Sequence, residues 1–228
     1  MLTLKQLENM CHLQNQMNLL VNRDWVNANY DWLRAAANEF FELYDHVGQW
    51  KWWRKMSVNE TQGQIELVDV FHFLLSHTIQ AENGDVKQAA KTMHTNLQID
   101  TNTVTFDRKT YHIDSMTFLE QLDLTVALHA VKRTSYPLLK RLFDYCNLSP
   151  ERLYYWYISK NVLNTFRKNH GYDTGTYIKS WPTGHDNETA EDNVFLEDIA
   201  NGLDITDPEF PTKLYKALES TYHSFYTQ

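Results

Sequence analysis

Cysteine is nearly absent from this chain, which holds only Cys11 and Cys146 in 228 residues. Two residues so far apart build neither a disulfide framework nor a thiolate metal site, so free thiols in a reducing cytoplasm are expected. Glycine and proline are scarce as well, seven and five respectively, so few points interrupt long regular elements. No run approaches the roughly 20 uninterrupted apolar residues that a membrane-spanning helix needs. The opening Met-Leu-Thr-Leu-Lys-Gln-Leu-Glu lacks the basic stretch, apolar run and small-residue cleavage site of a signal peptide. Basic charge is also in deficit, 21 Lys+Arg against 29 Asp+Glu for a net charge of -8. That balance argues against a nucleic-acid backbone as main partner, and nothing suggests a membrane. What is abundant is core material: 43% hydrophobic and 14% aromatic residues, enough for one large domain or two small ones.

Apolar residues recur mostly at intervals of three and four, the period of helices, so an all-α fold is expected. Leu4, Leu7, Cys11, Gln14 and Asn18 form one stripe over residues 3–20. Leu33, Ala36, Ala37, Phe40 and Leu43 form another over 28–46, and both patterns predict amphipathic helices. Residues 64–80 are apolar almost all round, which predicts a central helix whose few polar residues are costly. Asn83-Gly84 is a turn signal and opens a middle region to about residue 148 that reads as a smaller helical insert. Residues 1–80 and 149–228 are its rigid surround, in a single catalytic domain over 1–228. Within the insert, 100–113 alternates threonine with apolar residues around Asp107-Arg108-Lys109, the pattern of a short hairpin. Ser149-Pro150 reads as a helix start running to about Lys168, with Gly171 as its stop. Residues 171–190 read as a loop, and a last helix follows Asp207-Pro208 and Pro211 through Phe225.

Two carboxylate pairs stand at i, i+3: Glu39 with Glu42, and Glu66 with Asp69. On a helix that spacing puts both side chains on one face, where they can close on one cation. Taken alone, Glu39 and Glu42 read first as a solvated helix face. Glu66 and Asp69 are harder to dismiss, because an unpaired carboxylate inside an apolar helix costs several kcal/mol or neutralises. A salt bridge would also satisfy them, but no Lys or Arg occurs within residues 60–80. Two such pairs facing each other suit magnesium and phosphoryl chemistry.

Lys160, Asn164, Arg167 and Lys168 recur at helical spacing and Lys179 follows, with Asp173 the only acidic residue between Lys160 and Trp181. This basic face can fork onto phosphate oxygens or simply be solvated. Gln14 and Asn18 at i, i+4 offer amides able to read a base edge, with surface or capping roles open to them as well. Trp50-Lys-Trp52-Trp53 can stack a base or pack as core. His72 projects near the face of Asp69 and reads as either a ligand or a core histidine.

In this order the segments resemble the dimeric, all-α dUTPases of the all-α NTP pyrophosphatase-like superfamily. The likeness rests on Leu13-Gln-Asn-Gln-Met-Asn18, Glu39-Phe-Phe-Glu-Leu, Trp50-Lys-Trp-Trp, Glu66-Leu-Val-Asp-Val-Phe-His-Phe, Lys160-Asn-Val-Leu-Asn-Thr-Phe-Arg and Gly171-Tyr-Asp-Thr-Gly-Thr-Tyr-Ile-Lys-Ser-Trp181. The resemblance implies a helical bundle with a carboxylate-lined site, in which Glu39, Glu42, Glu66 and Asp69 hold two or more Mg2+ ions. It implies that a metal-activated water attacks the phosphate chain, hydrolysing dUTP, and dUDP as well, to dUMP. It assigns phosphates to Lys160, Asn164, Arg167 and Lys179, and base and sugar to Gln14, Asn18, Trp52 and His72. Trp50 competes with Trp52 for the base, and Asp186-Asn187 competes with Asp192-Asn193 to complete the site. A homodimer in the cytoplasm is implied too. The competing activities are a dCTPase or dual dCTPase/dUTPase, which related phage enzymes make plausible, and a nucleotide-binding module without turnover.

Overall fold

Thr3 starts α1 (Leu4–Val21) with a reciprocal cap: its hydroxyl accepts from the Gln6 amide while the Gln6 side chain accepts from the Thr3 amide, satisfying two otherwise orphaned donors. The computed structural model describes residues 1–48, 50–184 and 188–226. α2 (Trp32–Val47) begins four residues later than the periodicity predicts. Asn29 takes a left-handed φ of 51°, and Asp31 accepts from the Arg34 amide as the N-cap. α3 (Glu60–Ala81) begins earlier than predicted, behind the Asn59 cap, because its polar first turn carries no apolar signal. Asn83-Gly84 makes the expected turn, both residues having positive φ, and leads to α4 (Val86–Leu97).

The expected hairpin is present. β1 (Thr103–Phe106) pairs antiparallel with β2 (Lys109–His112), joined by Asp107 and Arg108 at φ 46° and 61°, the left-handed pair that suits a tight hairpin. α5 (Phe118–Ala130), α6 (Tyr136–Tyr145) and α7 (Pro150–Asn169) follow. Ser149 caps α7 by accepting from the Arg152 amide.

The chain divides into two units, Met1–Tyr154 and Tyr155–Gln228. In the first, α3 is the centre: it packs against α1, α2 and α4 and is buried at nearly every position from Gln62 to Ile79. α5 lies on α2, and Val104, Ile113, Leu124, Leu128 and Leu138 close a smaller core under the hairpin. Cys11 and Cys146 are free and buried.

In the second unit, α7 leads into a ribbon of β3 (Ser180–Pro182) and β4 (Thr189–Glu191), then α8 (Asp192–Asn201) and α9 (Phe210–Tyr226). The loop expected over 171–190 thus contains a ribbon, whose three-residue strands are too short to show alternation. α8 was not anticipated either. The core here is aromatic: Trp181 meets Phe166 at 6.2 Å and Tyr222 at 5.5 Å between ring centroids. Among the described residues there are nine α-helices and only these two ribbons, so the fold is all-α.

Candidate active site

Packing of α2 on α3 brings three of the four predicted carboxylates together. One ligand oxygen each from Glu39, Glu42 and Glu66 lies within 4.8 Å of the others. Phe40 and Leu43 are fully buried on α2, and burying them turns Glu39 and Glu42 toward the edge of the α3 seam. Glu42 is exposed and accepts from Asn38 Nδ2 at 3.0 Å, whereas Glu66 is 4% exposed. Asp69, one turn after Glu66, has Oδ1 3.8 Å from His72 Nδ1 and does not join the group of three. Sequence reasoning missed His46, whose Nε2 stands 3.4 Å from Glu66 Oε1. Its only sequence signal is its place one turn after Glu42.

Three carboxylates this close repel one another by on the order of a few kcal/mol per pair at an effective dielectric of about 20, before screening. An all-oxygen, strongly anionic donor set is what magnesium selects. Oxygens on one such ion stand roughly 3–4 Å apart, so the observed spacing needs only a small closure. The residues therefore fit the cation that their chemistry implies.

The amides predicted for base and sugar are joined across α1 and α3. Gln14 Nε2 donates to Asn18 Oδ1 at 3.1 Å, and Asn18 Nδ2 donates to Ser76 Oγ at 3.0 Å. Ser76 Oγ in turn donates to the His72 carbonyl at 3.0 Å. His72 Nδ1 lies 2.8 Å from the Val68 carbonyl, a contact that places the proton on Nδ1 and leaves Nε2 as the acceptor. All four side chains are buried, so each amide's orientation is set by its neighbour. The tryptophans differ sharply. Trp52 is 89% exposed and meets Trp53 edge-on, while Trp50 is partly buried against Tyr44.

In the second unit, α7 and the start of α8 gather the predicted basic residues. Lys160 is 1% exposed, and its Nζ donates to Asn193 Oδ1 at 3.0 Å. Arg167 forks onto Asp192, with Nε at 2.8 Å and Nη2 at 2.6 Å, and its Nη1 reaches Asn164 Oδ1 at 3.3 Å. Asp192 is fully buried and also accepts from the Tyr177 hydroxyl at 2.7 Å. Burial and the Asp192 charge push that phenol well above its ordinary range, which keeps it a donor. Lys179 pairs with Glu191 at 2.8 Å. Burial alone would lower its pKa, but the Glu191 hydrogen bond and charge outweigh burial and raise it. Asp192 and Asn193 therefore stand with the basic helix, while Asp186 and Asn187 lie outside the described residues.

A turn holds this cluster's loop in place. The Gly171 carbonyl accepts from the backbone amides of Thr174, Thr176 and Tyr177 and from the Thr174 and Thr176 hydroxyls.

A family model described as dUTPase matches residues 6–172 of the chain. No curated protein matches it.

Proposed function

Because the chain belongs to the dUTPase family and is a dUTP diphosphatase, we propose that it hydrolyses dUTP to dUMP and pyrophosphate in a magnesium-dependent reaction, and accepts dUDP as well. The observation that carries the magnesium reading is the convergence of Glu39, Glu42 and Glu66. These three carboxylates would hold Mg2+, with Asp69 on the same helix as the fourth ligand. When bound, the metal supplies charge that offsets the phosphate oxygens and lowers the pKa of a coordinated water.

The rest falls to the chain's own groups. Gln14 and Asn18, already oriented by the bond to Ser76, present one fixed set of amide donors and acceptors to the base. His72 offers Nε2 to the base or sugar because Nδ1 is committed to a backbone carbonyl. Trp50 or Trp52 supplies an aromatic face. Lys160, Asn164, Arg167 and Lys179 bind phosphate, with the Arg167 guanidinium plane set by Asp192 before any substrate arrives. No covalent intermediate is required. The product chemistry limits uracil incorporation into DNA, and we read the protein as a cytoplasmic homodimer.

The test is pyrophosphate release from dUTP, dCTP, dTTP and UTP, and phosphate release from dUDP, with magnesium and then with EDTA. EDTA-sensitive release confined to deoxyuridine nucleotides is expected. Equal turnover of dCTP would replace the uracil-specific reading with a dual-substrate one, and EDTA-resistant turnover would refute the metal site.

A further inference from the structure

The helical segment between α3 and α7 has no role in the reading above, yet it grips the helix that carries Glu39 and Glu42. α2 with its N-cap and α5 with the turn after it run antiparallel and share three side-chain links. At one end Lys132 pairs with Asp31, the His129 ring meets Phe40 edge-on at 5.1 Å, and at the other end the Tyr44 hydroxyl donates to Asp123 Oδ1. The last link differs from the others in what lies beyond it. Tyr44 meets Trp50 edge-on at 5.8 Å between centroids, and Trp50 meets Trp53 in the same way at 5.8 Å. Lys51 pairs with Asp45 of α2 and sets its ammonium 4.6 Å from the Trp50 ring centroid. Trp50 is therefore held on α2, and Tyr44, its support there, is fixed from α5.

We propose that Tyr44 and Asp123 are positioning residues for Trp50, so that the insert sets how well the base-binding aromatic is preorganised. This rests on the dUTPase reading and selects Trp50 over the almost wholly exposed Trp52 as the ring that meets the base. Phenols prefer their protonated form here, since burial and the Asp123 carboxylate raise the Tyr44 pKa, so the bond is present at neutral pH. An aromatic face held in advance lowers the ordering cost of binding, an effect that appears in KM and ligand affinity and leaves the chemical step alone.

The experiment compares steady-state kinetics and calorimetric affinity for a nonhydrolysable dUTP analogue across a set of variants. Tyr44→Phe and Asp123→Ala are each expected to raise KM and Kd roughly 3- to 10-fold with kcat within about twofold. Asp123→Asn should stay near the parent, because its amide carbonyl still accepts from Tyr44. Lys132→Met, which removes the ion pair between the turn after α5 and the N-cap of α2, should leave both constants unchanged. Trp50→Ala should weaken binding at least as much as Tyr44→Phe, and the double variant should be no worse than Trp50→Ala alone.

Three results would overturn the proposal: unchanged affinity in Tyr44→Phe, an undiminished Tyr44→Phe effect in the Trp50→Ala background, or an equal loss in Lys132→Met. If Trp50→Ala binds and turns over dUTP as the parent does, the positioning role fails while the dUTPase reading stands. A parent that does not hydrolyse dUTP sinks that reading first.

Discussion

Glu66 is the residue under the greatest constraint in the first unit. It is 4% exposed, stands with two other carboxylates and has the His46 ring 3.4 Å from one of its oxygens. Glu66→Gln keeps the shape and removes the charge. The expected outcome is a loss of pyrophosphate release on the order of 10²-fold or more and loss of Mg2+ heat in calorimetry. Activity retained at the parent level would remove Glu66 from the metal site. The two cysteines sit at the other extreme. Burial pushes both thiols up to about 12, so neither is a nucleophile at neutral pH, and both are free, as expected.

At the scale of elements, the α2–α5 seam contains a pH-sensitive group. His129 is fully buried and donates from Nδ1 to the Thr125 carbonyl at 2.8 Å. Burial holds its pKa below 6.5, and the neighbouring His77 is lowered by burial too. Above 6.5 both folded and unfolded chains carry it neutral, and its full contribution to stability is present. As pH falls through that value the unfolded chain takes up a proton that the native state refuses, so stability declines. Thermal melts between about pH 7 and 5 should show a falling Tm, with a shallower fall in His129→Gln. Identical slopes would assign the effect elsewhere.

The turn after α7 makes a second element-scale prediction. Gly171 has φ +89°, and a Cβ there would stand 2.0 Å from Thr176 Oγ1. Gly171→Ala should therefore cost about 1–3 kcal/mol in urea unfolding and weaken phosphate binding, since the same turn leads to Tyr177 and Lys179. An unchanged unfolding midpoint would show that the turn relaxes freely.

For the whole molecule, light scattering should report twice 27.0 kDa if the proposed homodimer forms, and a mass of one chain would refute it. No helix among the described residues is long and apolar enough to cross a membrane.

Much of this was legible in the linear chain, because helix period, caps and turn residues act over a few positions. Leu33 to Leu43, the Asn83-Gly84 turn, the Asp107-Arg108 hairpin and the Ser149-Pro150 start depend on neighbours alone, and so does the i, i+3 spacing of each carboxylate pair. Residues 192–201 and the short ribbon before them were not legible, since the strands have three residues each and the buried face of α8 is half polar, Asp192 and Asn193 beside Leu196 and Ala200. What only the tertiary structure decided is which distant groups meet. Glu66 rather than Asp69 converges with Glu39 and Glu42, Asp192 and Asn193 stand with Arg167 and Lys160, and Asp123 reaches Tyr44 from 79 positions away. Such meetings depend on how helices cross and which faces they bury, and no spacing within one element carries that information.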